Sequence, residues 1–164
     1  MTHNIHINIG SNGGCRHALI ERAAAAVSSA LGGEVLRSDI IETEPWGFES
    51  DNTFLNLGLM TVVSLPDSTD MEAFAIGLLR CLREIERGID PSPHRDSEGR
   101  YIDRAIDIDL IAVGSVVVSL PELIIPHPRM HERYFVLRPL SQLDPSWRHP
   151  LLGLTAVQLL DSLG

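Results

Sequence analysis

The chain has 164 residues, 44% hydrophobic and 21% charged, enough for one ordinary domain with a single core, and no apolar run approaches the roughly 18 residues of a membrane span. Its formal net charge of −9 argues against general nucleic-acid binding, which needs a basic surface to displace counterions from phosphates. All 13 Lys+Arg are arginine, which removes mechanisms built on an essential lysine, including the P-loop, the protein-kinase site and Schiff bases; phosphate, if bound, is bound by arginine.

The start, Met1-Thr2-His3-Asn4, lacks the basic and apolar stretches of a secretion signal, so a cytoplasmic protein is expected. His3 to Ile9 alternates polar residues with Ile5, Ile7 and Ile9, the period-two pattern of a strand, and stops at the turn-forming run Gly10 to Gly14. An alanine-rich helix is predicted over Arg16 to Leu31, ended by Gly32-Gly33. Glu34 to Ile41 reads as a second strand, Thr43 to Phe48 as a break at Pro45, and Thr53 to Leu65 as a third strand. Ser68 to Arg87 has helical spacing of Met71, Phe74, Leu78, Leu82 and Ile85, with Ser68 or Asp70 as cap. Gly88 to Asp103 is polar and proline-bearing, a loop long enough to suggest a lid.

Ile106 to Val113 reads as a fourth strand, with Val116 to Val118 and Leu123 to Ile125 as edge strands; from His131 a short helix, a turn and a last helix near Thr155 to Leu163 follow. Cys15 and Cys81 lie far apart and beside no metal-ligand pattern, which makes them free thiols. The order β-α-β-β-α-β with a C-terminal extension predicts an α+β protein, a ferredoxin-like antiparallel sheet with helices packed on it, in one domain over 1–164. A monomer is expected.

Asp107 and Asp109 are the sharpest local feature. Two apart on a strand, they share a face about 7 Å apart at Cα, while Ile106, Ile108 and Leu110 point to the core. Such oxygen donors suit Mg²⁺ better than zinc, and a half-exposed strand with a polar outer face is the other reading. Arg104, just before the strand, is either a phosphate ligand or an ion partner of Asp103 or Asp107. Pro126 to Phe135 gathers His127, Arg129, Arg133 and Phe135, groups able to meet a nucleotide and a flat heterocycle, or else a surface turn entering a helix. Phe54 and Asn56 offer stacking and a two-way hydrogen-bonding amide, with core and strand-edge roles as the alternatives.

Gly10-Ser11-Asn12, Thr43-x-Pro45-x-Gly47, Phe54-Leu55-Asn56, Ile85-Glu86, Arg104 to Leu110 and Pro126 to Leu140 occur together in an order that resembles the 6-hydroxymethyl-7,8-dihydropterin pyrophosphokinases over nearly the whole chain. The resemblance implies transfer of pyrophosphate from ATP to a hydroxymethyl pterin in folate biosynthesis, releasing AMP. It implies that Asp107 and Asp109 ligate two Mg²⁺, that Arg104, His127 and Arg133 contact the triphosphate, and that Glu86 shapes the nucleotide site. Phe54 and Phe135 would sandwich the pterin, whose edge Asn56 and the backbone around Thr43, Pro45 and Trp46 would read. The loop departs from the family pattern, leaving His94 and Arg95 as replacement cations for ATP and Tyr101 where many relatives carry tryptophan. A non-catalytic ferredoxin-like metabolite-binding module is the alternative, and a metal-dependent nucleotidyl transferase or nuclease a second, disfavoured by the acidic surface.

Overall fold

The computed structural model describes residues 1–164. Its main sheet contains β1 (Thr2–Ser11), β2 (Val35–Arg37), β3 (Ile41–Thr43), β4 (Phe54–Ser64) and β5 (Asp107–Val113) in the order β2-β4-β1-β5, with β3 also paired to β4. All pairings are antiparallel, and helices α1 (Arg16–Leu31) and α2 (Met71–Ile89) make the two crossovers, so the ferredoxin-like α+β arrangement is observed. The Asp70 side chain caps α2 by accepting from the Ala73 N–H. No helix is long and apolar enough to cross a membrane.

Alternation along β1 builds the molecule's layers. Ile5, Ile7 and Ile9, with Leu55, Leu57 and Leu59 of β4 and Ile108 and Leu110 of β5, face α1 and α2 and make the larger core with Ile20, Val27, Leu78 and Leu82. The opposite face carries the polar positions, yet His6 and Asn8 are buried there too. They are covered by the C-terminal extension, α3 (Tyr134–Leu143) and α4 (Ala156–Asp161), whose second core unites Ile111, Ala112, Met130, Val136, Leu137, Leu140, Trp147 and Leu159. Asn4 Nδ2 donates to Asp144 Oδ2 at 2.7 Å, and His6 Nε2 lies 3.1 Å from the same oxygen. The polar stripe is therefore a docking surface for α3 and the residue that caps it, which take up Asn4, Asn8 and His6 Nε2 and leave His6 Nδ1 without a partner.

Three expectations are corrected. Glu34 to Ile41 is not one strand: β2 and β3 are separated where Ser38, Asp39 and Ile40 stand against two residues of β4, a bulge. Ser38 holds the break by donating its N–H to Gly58 O and accepting the Gly58 N–H on Oγ, while the Asp39 N–H turns to Gln142. Val116 to Val118 and Leu123 to Ile125 do not extend the main sheet. Beyond the Gly114 turn, β6 (Val118–Ser119) and β7 (Ile124–Ile125) pair only with each other, because Pro121 and Pro126 punctuate them. Helix α2 also runs to Ile89, so the loop starts two residues later than the glycine at 88 suggested.

The sheet and α3 meet closely at Gly58, where an added Cβ would stand 2.6 Å from Pro139 Cβ and 3.3 Å from Leu143 Cδ1. Neither the strand, held on both sides, nor a helix anchored at both ends can yield cheaply. Gly58→Ala should destabilise the protein by about 1–3 kcal/mol in urea unfolding, without changing the dependence on urea concentration. An unchanged midpoint would show that α3 is free to move off the sheet.

Candidate active site

Extension α3 covers only part of the polar face. Along the remainder, Gly10 and Asn8 of β1 stand between Asn56 and Gly58 of β4 and Asp107 and Asp109 of β5. Above these residues opens a cleft of about 530 Å³, walled by the segment around Trp46, the loop around His94 and Tyr101, and the His127 to Phe135 segment. Its size suits a small-molecule ligand. Gly10 is needed at the floor, since a Cβ there would come 3.1 Å from Asn56 Oδ1.

Of the residues singled out from sequence, Asp107, Asp109, Arg104, Arg95, His127, Arg133, Trp46, Phe54, Asn56 and Phe135 all line this cleft. Glu86, Thr43 and Pro45 are not part of the lining. Thr43 Oγ1 accepts from Asn56 Nδ2 at 3.0 Å, fixing an amide that is 2% exposed. Glu86 Oε2 accepts the Ile108 N–H at 2.7 Å, tying α2 to the aspartate strand. Asn8, Phe48, Glu44, Arg83, His94, Tyr101 and Arg129 complete much of the wall. Asn8 and Phe48 carried no signal of their own in the sequence, because they come to the site through strand register and a turn.

The anionic side of the cleft is crowded. Burial, and then the neighbouring Asp107 charge, push the Asp109 carboxyl well above its ordinary range against the pull of Arg133. Burial also raises Glu86, partly opposed by the Ile108 N–H. Asp107 meets Arg104 Nη1 at 3.2 Å, which decides the choice between its two acidic neighbours: Asp103 is taken up by Asn12 Nδ2 and Asn52 Nδ2, each at 2.7 Å. Asn12 accepts the Arg104 N–H at 2.8 Å as well, so the turn after β1 clamps the residue that starts the aspartate segment.

Aromatic rings and guanidinium groups make the other side. Arg104 Cζ lies 5.5 Å from the Phe54 centroid, 5.4 Å from Tyr101 and 5.8 Å from Phe48. Arg133, 8% exposed, lies 4.6 Å from Trp46 and 5.6 Å from Phe135. The Nε atoms of both arginines are buried without a partner. His127, expected as a triphosphate contact, is a neutral group near pH 7: burial, and then Arg133 and Arg129, lower it to about 4. Its Nδ1 lies 3.3 Å from the Arg129 N–H, which leaves Nε2–H as the donor.

The loop carries its own structure. Arg95 and Tyr101 form a bridge, Arg95 Nη1 donates to Gly99 O at 2.7 Å, and its Cζ lies 4.0 Å over the Tyr101 ring. Arg100 is held by Asp96 and Glu98 away from the cleft. The hydrogen bonds made by Asp96 with Glu98 and Arg100 account for the turn.

A model of the family described as 7,8-dihydro-6-hydroxymethylpterin-pyrophosphokinase matches residues 6–145. The chain is 38% identical over 148 residues to the 2-amino-4-hydroxy-6-hydroxymethyldihydropteridine pyrophosphokinase of Porphyromonas gingivalis, covering 89% of this chain and 93% of that one. To the enzyme of the same name from Bacillus subtilis it is 32% identical over 144 residues, 87% of this chain and 79% of the other. A crystal structure of wild-type HPPK-DHPS from Plasmodium falciparum superposes with a TM-score of 0.63 at 15% identity, covering 99% of this chain and 45% of that longer one, a likeness of fold.

The raised carboxyl of Asp109 yields a stability prediction. A carboxyl whose folded-state pKa is raised makes the ionised form costly, so folding stability increases as pH falls from neutrality toward the ordinary carboxylate range. Asp109→Asn should therefore melt at a higher temperature than the parent at pH 7, with the difference shrinking as pH is lowered toward 5. A variant less stable at pH 7 would show that the cations around Asp109 outweigh its burial.

Proposed function

Because the chain belongs to the 7,8-dihydro-6-hydroxymethylpterin-pyrophosphokinase family, we propose that it transfers the β,γ-pyrophosphoryl group of ATP, with Mg²⁺, to the hydroxymethyl oxygen of 6-hydroxymethyl-7,8-dihydropterin and releases AMP. The family makes it an ATP-dependent pyrophosphokinase of folate biosynthesis. The observation that carries the finer reading is one cleft, floored by Asn56, in which carboxylates face a wall where guanidinium groups lie over aromatic rings.

The pterin fits the aromatic side. Phe54 and Phe135 offer faces for a flat ring, and Asn56, its amide held by Thr43, offers fixed donor and acceptor positions to the ring edge. The backbone around Pro45 and Trp46 borders this end. The triphosphate fits between the carboxylates and these rings, where the partly unpartnered guanidinium groups of Arg104 and Arg133 and the neutral Nε2–H of His127 provide donors, with Arg95 at the rim and Glu86 behind.

The donor set fits Mg²⁺: Asp107 and Asp109 are oxygen ligands, and the burial and then the Asp107 charge that raise the Asp109 carboxyl are both offset by a hard cation. Two Mg²⁺ held by them would neutralise phosphate oxygens and favour nucleophilic attack on phosphorus. The residues of the chain align the hydroxymethyl oxygen with the β-phosphorus. A new O–Pβ bond forms as the bond from Pβ to the α,β-bridging oxygen breaks, the electron pair goes to that oxygen on AMP, and the hydroxyl proton passes to solvent. Alignment and charge stabilisation dominate such a transfer, and no side chain of the cleft stands out as a general base.

Incubation with Mg-ATP and the hydroxymethyl pterin should give AMP in step with pterin pyrophosphate, and Asp107→Ala or Asp109→Ala should abolish this while preserving the circular dichroism spectrum. Formation of ADP, or turnover without added divalent cation, would overturn the reading. Phe54→Ala and Phe135→Ala should each weaken pterin binding by about 1–3 kcal/mol in calorimetry, with a much smaller effect on a non-reactive ATP analogue. Equal losses for both ligands would instead make these rings parts of the core.

A further inference from the structure

Where the loop passes over the end of α2, His94 sits between two acidic groups that come from different elements, Glu86 of α2 and Asp107 of β5. Each carboxylate has one oxygen already occupied: Glu86 Oε2 by the Ile108 N–H and Asp107 Oδ2 by Arg104. The remaining oxygens, Glu86 Oε1 and Asp107 Oδ1, face the imidazole, 3.6 Å from Nε2 and 3.6 Å from Nδ1 respectively. These separations are too long for hydrogen bonds, so neither contact fixes the ring. One potential ligand atom from each of the three residues lies within 4.8 Å of the others, and two atoms about 2.1 Å from one ion stand at most about 4.2 Å apart; because the carboxylates face opposite ring nitrogens, the set closes by a turn of the imidazole that aims one nitrogen between them together with a small contraction.

We propose that Glu86, His94 and Asp107 form a mixed nitrogen and oxygen site that takes a first-row transition cation in preference to Mg²⁺. This ligand set is distinct from the Asp107 and Asp109 pair assigned to Mg²⁺ and shares only Asp107 with it. An imidazole ligand adds little for Mg²⁺, which favours all-oxygen shells, and strengthens binding of Co²⁺, Ni²⁺ or Zn²⁺. The site is built. Asp90 anchors the loop beside it through the Glu86 carbonyl and the Ala105 N–H, the His94 carbonyl accepts the Ile102 N–H, and all three side chains are between 17% and 24% exposed. Arg83 and Arg104 are the neighbouring cations and Asp109 the neighbouring anion, so the attraction for a divalent ion comes from the Glu86 and Asp107 carboxylates themselves.

Co²⁺ is a suitable probe, because it can be titrated calorimetrically and shifts the proton resonances of a bound imidazole. With the full chain and no nucleotide or pterin, one Co²⁺ should bind at least about tenfold more tightly than Mg²⁺. His94→Ala should lose about tenfold or more of that Co²⁺ affinity while changing Mg²⁺ affinity by less than about twofold, and should lose the shifted ring resonances. Glu86→Gln, which can still accept the Ile108 N–H, should also weaken Co²⁺. Equal Co²⁺ affinity in His94→Ala, shifted resonances that persist in it, or an unaffected Glu86→Gln would overturn the site. Such a failure would leave the pyrophosphokinase reading untouched, since that rests on AMP formation with Mg²⁺.

Discussion

One hydrogen bond holds the entrance of α3 against the strands that carry the rest of the site. Pro139 lies inside α3 and has no N–H, so the carbonyl four residues earlier, at Phe135, lacks its helical partner. Asn8 Nδ2, from the middle of β1, donates to that carbonyl at 3.0 Å. The contact fixes the first turn of α3 to the polar face of the sheet, beside Gly58, where the strand lies closest to the helix. Phe135 and Arg133, at the helix entrance, thereby come to stand opposite Phe54 and the aspartates. A proline that costs a helix one bond is thus accommodated by a strand asparagine, and the cleft takes its width from that accommodation.

The cleft sets unlike demands side by side. Crowded carboxylates are costly to bury, and so are guanidinium groups whose Nε atoms lack partners. Rings of Phe48, Phe54, Tyr101 and Trp46 spread under the arginines and keep them in place without consuming their hydrogen-bonding capacity. The result is a surface held ready for ligands that bring both negative charge and a flat ring, at some expense to the stability of the ligand-free protein.

Much of this was legible in the sequence, for stated physical reasons. Period-two isoleucines marked β1, the alanine-rich run gave α1 at its observed limits, and the pair Asp107 and Asp109 could only share a face. What escaped was long-range. The alternation marked His6 and Asn8 as polar strand positions but carried no sign of the segment some 130 residues later that covers them. The break between β2 and β3 depends on Ser38 bonding to Gly58, a partner that local propensity does not contain. The neutral state of His127 follows from burial, about which residue type carries no information, and the position of Glu86 and His94 around Asp107 required three elements to meet.

The two tryptophans occupy opposite kinds of environment. Trp147 is 7% exposed in the second core, donates Nε1–H to Gly114 O at 2.9 Å and lies between the rings of His6 and His149. Trp46 stands on the cleft wall, with the guanidinium groups of Arg133 and Arg129 over its ring. The fluorescence of this chain is consequently the sum of two signals with separate meanings: one indole reads whether the extension is seated on the sheet, and the other reads whether the arginines above it have turned toward an anion.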